Sequence, residues 1–331
     1  MSVVPASLRT GPAAMLLGPA QRHAWTLGLL GFLALLLLFT KLIQPSYGAA
    51  GLQGLAISVL PLALAAAAQA VVVIAGGIDL SIGSMMALTS VVAAVNMKDQ
   101  PPEVGIIVVV AVLALGLVIG AINGALVVIT RVPDIVVTLA MSFVWAGFAL
   151  LVLRTPGGGS AEWLRDLVLG SVVVDFIPKA FVVLAVVVAV IWIPIQRSRL
   201  GLSLYAVGSN QLAAFRSGVS VGRTKFIAYV IAGLYAAIAG LMLTASTGIG
   251  TPVPGPYTLL SVAAVVLGGV SLAGGRGGLF GPVVAVVILS LLRTDMTFLR
   301  LNTNLATVAQ GVILVGVVMI GTFLTLRRKS E

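Results

Sequence analysis

Long apolar runs, each about the length of a membrane span, alternate along the chain with short stretches where charges, prolines and glycine clusters gather. A helix crossing a bilayer needs about 20 apolar residues. Cutting at those polar stretches predicts ten helices, with approximate limits 24–43, 55–75, 82–97, 104–129, 134–153, 177–195, 225–246, 258–274, 278–294 and 305–326. The third, eighth and ninth are short and broken by glycine, which suits re-entrant or tilted segments. The first run, WTLGLLGFLALLLLFTKLI, is followed by small residues at Gly48 to Gly51, as a cleaved leader would be. Its apolar core is longer than the ~7–15 residues of a leader, so it reads as a retained first span. The pattern divides the chain into a tail (1–22), one transmembrane domain (23–326) with a polar loop at 196–224, and a short second tail (327–331).

Composition agrees with an all-α polytopic membrane protein. The chain is 60% hydrophobic and 8% charged, with a mean hydropathy of +1.19; a soluble domain carries about 25% charged residues. The net charge of +10 comes without a basic stripe interleaved with aromatics, so nucleic acid is not a partner, and cationic loops facing a cytoplasm explain it better. With the N-terminus inside and all ten segments crossing, the inside collects Arg9, Arg22, Arg131, Arg197, Arg199, Arg216, Arg223, Lys225, Arg276, Arg327, Arg328 and Lys329. Both termini are therefore expected in the cytoplasm, with Asp99, Glu103, Glu162, Asp166, Asp175 and Asp295 in outside loops. The chain lacks cysteine and has one histidine, His23, which argues against thiol chemistry, a catalytic triad or a histidine metal site. No catalytic residue, metal or cofactor is expected.

The stretch GGIDLSIG at 76–83 is the odd one, with two glycines, a carboxylate and a serine set between greasy runs. In hydrocarbon every backbone polar group needs a partner within the protein. Gly76 and Gly77 can end one helix in the left-handed conformation. Asp79 or Ser81 can accept from the first N–H groups of the next helix, whose positive end also suits a carboxylate. We read Gly76, Gly77, Asp79 and Ser81 as a helix joint near the cytoplasmic face; the alternative is that Asp79 relays protons or binds a coupling ion. AGGIDLSIG at 75 has an echo in AGGRGGLFG at 273, read here as two glycine breaks at similar depth. Gly116, Gly120 and Gly124 recur every fourth residue and predict a face where another helix packs closely.

These residues resemble a known pattern. GGIDLSIGS at 76–84, NGALVVITRVPDIVVTLAM at 123–141, LGLSLYAVGSNQLAAFRSGVSVGRTKFIAYVIAGLYAAIAGLM at 200–242 and VAAVVLGGVSLAGGRGG at 262–278 are similar, in order and spacing, to the ribose-type sugar permeases of bacterial ATP-binding-cassette importers. Many of those relatives carry a Glu-Leu-Asp stretch where this chain has Thr258, Leu259 and Leu260, so no role for such carboxylates is carried over. The resemblance implies the many-helix permease fold of the second importer type, in a bacterial inner membrane. It implies pairing with a second permease (identical or related), a cytoplasmic ATPase below and a periplasmic sugar-binding protein above. The sequence contains no G-x-x-x-x-G-K-[ST] phosphate loop, so ATP is expected on the partner chain.

A sugar path needs hydroxyl and amide partners beside an apolar ring face. Thr138, Ser142 and Trp145 share one helix face at i, i+4 and i+7; with the amides Gln69 and Asn123 they are the candidate lining. Alternatively, the hydroxyls bond their own helices, the amides bridge helices and Trp145 marks the outer interface. In the polar loop, Asn210 can cap and Gly218 can end a two-turn helix. The resemblance places the ATPase contact there, on Asn210, Leu212, Ala213, Ala214, Phe215, Arg216 and Gly218. Two alternatives stand beside this reading: an ion-coupled secondary carrier, which would need charged partners for Asp79, and, implied by the resemblance, a permease for branched-chain amino acids, which shares the broad fold but generally lacks GGIDLS.

Overall fold

The computed structural model describes residues 24–172, 175–253 and 255–301, with isolated positions between 305 and 319. Both expected tails lie outside the described residues, as does most of the tenth expected helix, 305–326. The described residues form helices α1 (Ala24–Ile43), α2 (Ala49–Ile74), α3 (Ile82–Met97), α4 (Pro102–Thr130), α5 (Asp134–Val152) and α6 (Glu162–Val168). They continue with α7 (Lys179–Gln196), α8 (Arg199–Ser209), α9 (Gln211–Arg216), α10 (Val221–Thr247), α11 (Tyr257–Leu267) and α12 (Phe280–Phe298). Seven of these are long and apolar enough to cross a membrane, and α3 and α11 are shorter apolar helices. That pair is the third and eighth of the sequence reading. The ninth is a full span.

Burial sorts the helices into centre and rim. In α2, 89% of the most apolar stretch is buried, against 17% in α1, 33% in α4, 22% in α5 and 17% in α7. The run Ala63–Ala70 of α2 is wholly buried; its alanines let neighbouring backbones approach closely. On the rim helices the exposed side chains are apolar (Leu35, Ile107, Phe143, Leu151 and Val190). Such a surface suits hydrocarbon rather than water.

The most extensive helix pair is α4 against α10, and the expected glycine face makes it. A side chain on Gly116 would meet Ala237 and the Gly233 carbonyl, one on Gly120 the Tyr229 carbonyl and Val230, and one on Gly124 Phe226 and Tyr229. Gly240, farther along α10, lies against Thr89 and the α3 backbone. There Ser90 and Thr244 join α3 to α10, their hydroxyls 2.8 Å apart.

Some boundaries differ from the sequence reading for identifiable reasons. The second helix begins at Ala49 rather than near 55, taking in Gly51 and Gly54, because a membrane helix tolerates glycine when neighbours satisfy the freed groups. The eighth stops at Leu267 rather than 274, at Gly268 and at Gly269 with φ +82°. The ninth runs to Phe298, which takes Asp295 out of the expected outside loop and into a helix. Asp295 is buried there, accepting from the Thr40 hydroxyl of α1 at 2.7 Å.

Candidate functional site

The joint is built as a glycine stop followed by borrowed caps. At the end of α2 the Gly76 N–H donates to the Val73 carbonyl at 2.9 Å and the Gly77 N–H to Val72 at 3.0 Å. With Gly76 at φ +80°, this is the Schellman pattern that closes a helix on a left-handed residue. At the other side, α3 begins without a side-chain cap from Ser81, its N-cap residue. The N–H groups are met from elsewhere. Leu80 donates to the Thr138 hydroxyl at 3.0 Å, Ser81 to Asp79 Oδ1 at 2.8 Å and Gly83 to the Thr258 hydroxyl at 3.0 Å. Only Asp79 acts as the sequence reading expects, and it serves the N-cap N–H rather than one inside the helix.

Around Asp79 the polar groups form one buried chain. Asp79 Oδ1 also accepts from the Ser81 hydroxyl at 2.6 Å. Ser81 accepts from Asn123 Nδ2 at 2.8 Å, and Asn123 Oδ1 accepts from Trp145 Nε1 at 3.1 Å. Gln69, with its amide nitrogen turned to the Asp79 carbonyl, donates there at 2.8 Å and accepts from the Asp79 N–H at 3.3 Å. Thr138 shares its proton between the carbonyls of Ile78 at 3.1 Å and Asp134 at 2.9 Å. Asp79 Oδ2 has no partner among the described residues. Beside the joint, Asp134 forms an ion pair with Lys225 at 3.1 Å and accepts from the Tyr229 hydroxyl at 3.1 Å. A side chain on Gly77 would strike Asp134 and Tyr229.

The structure thus draws four of the five candidate path residues together, but around the joint. Gln69, Asn123 and Thr138 are fully buried and Trp145 nearly so, so Trp145 faces the protein interior. Ser142 is separate; it is part-exposed and donates to the Leu139 carbonyl at 2.6 Å. None of the five lines the cavity described below.

A second contact ties the joint to the polar loop. The Gly275 N–H donates to the Ile74 carbonyl, the last of α2, at 2.9 Å. Gly208, near the end of α8, lies between them: a side chain there would collide with the Ile74 carbonyl and the Gly275 nitrogen. One on Gly274 would meet the Gly208 carbonyl at 2.7 Å and Gly76 Cα at 2.9 Å. The two echoing glycine motifs therefore meet each other, with Gly208 at the crossing. The short helix α9 starts only a few residues beyond. Asn210 caps it, accepting from the Ala213 N–H at 2.9 Å. Gly218, at φ +82°, ends it, with its N–H on Phe215 and that of Val219 on Ala214. Leu212, Ala213, Phe215 and Arg216 are exposed. Ala214 is not: it is 5% exposed and turned toward the protein, so it belongs to the helix's seat rather than to an outward face.

Sequence reasoning missed a cavity. About 590 Å³ in volume, it lies among α2, α10, α11 and α12 and the residues leading into α11. Its walls combine apolar side chains such as Ile57, Leu260 and Leu289 with hydroxyls of Ser58, Ser246, Thr247 and Tyr257. Ser290, Arg293, Thr294 and Thr297 complete it. That last set stands at i, i+3, i+4 and i+7, one face of α12, and the spacing was present in SLLRTDMT. Ending the helix at 294 hides that face, because its final turn then falls in a loop.

Comparison with known proteins fits this architecture. Residues 51–321 match the family described as branched-chain amino acid transport system, permease component. The chain is 31% identical over 264 residues to the ribose import permease protein RbsC of Escherichia coli K12, covering 78% of this chain and 81% of that protein. It is 31% identical over 252 residues to RbsC of Bacillus subtilis, covering 75% and 77%. The galactose/methyl galactoside import permease protein MglC of Haemophilus influenzae is 30% identical over 270 residues, covering 76% and 80%. No solved structure matches. A polytopic helical chain with a buried joint and a matching family model over most of its length belongs to the family of branched-chain amino acid transport system permease components, as a membrane permease subunit.

Proposed function

We propose that this permease forms the translocation path for a monosaccharide or similar small polar solute. It works with a second permease, a cytoplasmic ATPase and a periplasmic sugar-binding protein, and both of its termini face the cytoplasm. The observation that carries the reading is the cavity of about 590 Å³ with hydroxyls set among apolar walls. Solute pockets run to about 300–1,000 Å³ and combine an apolar surface with a few placed polar groups. Several wall hydroxyls donate to their own helices, Ser246 to Met242 at 2.7 Å and Thr294 to Ser290 at 3.0 Å among them. Their lone pairs are left as acceptors for a solute's hydroxyls, a hold weak enough to release.

In this reading Gln69, Asn123, Thr138 and Trp145 hold the joint in shape, and Ser142 touches the solute only if it passes the α5 face. The exposed residues of α9 dock on the ATPase, with Asn210 and Gly218 fixing the helix ends. Motion reaches the joint through Gly208, which lies against Ile74 and Gly275. The test is uptake of labelled ribose and galactose by the importer reconstituted with its ATPase and binding protein. Thr294→Val with Ser290→Ala is expected to raise the KM for the transported sugar by about fivefold or more, as two polar partners are lost. An unchanged KM places the sugar elsewhere.

A further inference from the structure

The wall of the cavity carries one charged side chain, Arg293. Among the described residues the one ion pair is Lys225 with Asp134, so Arg293 has no carboxylate within 4.0 Å. All nine acids of the chain except Glu331 lie among those residues. Asp295, two positions on, faces α1 instead and bonds Thr40. Two neighbours in the wall, Ser290 and Tyr257, have hydroxyls that donate to no protein acceptor among the described residues. The rest of the wall is hydroxyl and hydrocarbon.

An unpaired guanidinium beside two free hydroxyl donors is a recognition set for an anion. Arginine's planar fork matches a carboxylate in two parallel hydrogen bonds. Charge-assisted bonds of this kind contribute more than neutral ones, and Arg293 is an exposed residue of the wall, open to an incoming anion. We propose that the cavity takes a sugar acid, with Arg293 holding its carboxylate and Tyr257 and Ser290 donating to its oxygens. The proposal rests on reading the cavity as the solute path, and it narrows the solute from sugars in general to those bearing a carboxylate. A neutral sugar would fill the same walls and leave the guanidinium unmatched.

Galactose and galacturonate differ only at the sixth carbon, which makes them a direct pair of probes. Binding of each, radiolabelled, is measured to the full importer complex in phosphatidylcholine nanodiscs, for the native protein, Arg293→Gln and Arg293→Lys. Native protein is expected to bind galacturonate about tenfold or more tightly than galactose. Arg293→Gln removes that preference, and Arg293→Lys, a point charge without the fork, keeps part of it. An equal preference in native protein and Arg293→Gln overturns the proposal, as does binding of galactose without preference for galacturonate, which leaves the solute path standing. Failure to bind either sugar removes the solute path as well. Loss of the preference when phosphatidylglycerol is added shows that Arg293 serves a lipid headgroup, and also overturns it. Retention of the ATPase on the purified Arg293→Lys variant establishes that the membrane part is folded.

Discussion

Asp79 is the residue on which the joint turns, because one of its oxygens takes both the N–H and the hydroxyl of Ser81. An asparagine can still accept through its carbonyl oxygen, so Asp79→Asn is expected to keep normal amounts of protein and most of its transport. Asp79→Leu leaves a buried N–H and a buried hydroxyl unmatched, at about 1–3 kcal/mol each, and should sharply lower the folded protein recovered from the membrane. Loss of transport in Asp79→Asn with normal assembly would make the charge itself the working part, as in a carrier. Thr138 allows a similar comparison. Its hydroxyl serves both Ile78 and Leu80; Thr138→Ser should be tolerated, and Thr138→Val should lower the unfolding temperature of the purified permease by several degrees. Equal melting of the two would show that the joint does not depend on that hydroxyl.

At the scale of elements, α4 and α10 meet through glycine, and no flexible side chain stands there to yield. A Cβ on Gly120 would collide with the Tyr229 carbonyl and approach Val230 Cα at 3.0 Å. Overpacking costs about 1–3 kcal/mol in a tight core, and Gly120→Leu should abolish recovery of folded protein in a size-exclusion assay. Folded, transporting Gly120→Leu would remove this interface. Much of this level was legible beforehand. The four-residue glycine spacing, the Asn210 cap and the Gly218 stop are local signals, and local rules set them. Contacts between segments far apart in the chain left no such trace. Thr258 caps a helix that begins at Ile82, and Asn123 looks like a path residue until Ser81 and Trp145 are seen on either side of it. The buried setting of Ala214 was likewise unreadable, since a two-turn helix with apolar residues on several sides has no face that its sequence alone selects. Ala214→Arg would therefore disturb the helix's own seat, and the exposed Leu212 and Phe215 are the informative positions. Leu212→Asp with Phe215→Ala should leave the permease folded and reduce co-purification of the ATPase about tenfold, as a hydrophobic contact of two side chains would. Wild-type recovery of the ATPase would move the docking surface elsewhere.

For the whole molecule, the account joins a solute cavity, a buried joint and an exposed docking helix through the backbone contact at Gly208. Its sidedness can be read directly, because the chain has no cysteine. A cysteine introduced at Gln100 should react with an impermeant maleimide from outside, and one at Ser217 only after the membrane is opened; the reverse pattern inverts the topology. The most direct test of the central claim is energy coupling. The permease is reconstituted into proteoliposomes with and without its ATPase and binding protein, and labelled sugar uptake is followed with ATP or with an imposed proton or sodium gradient. The account predicts uptake that requires ATP together with the ATPase and is indifferent to the gradients. Gradient-driven uptake by this chain alone would contradict it.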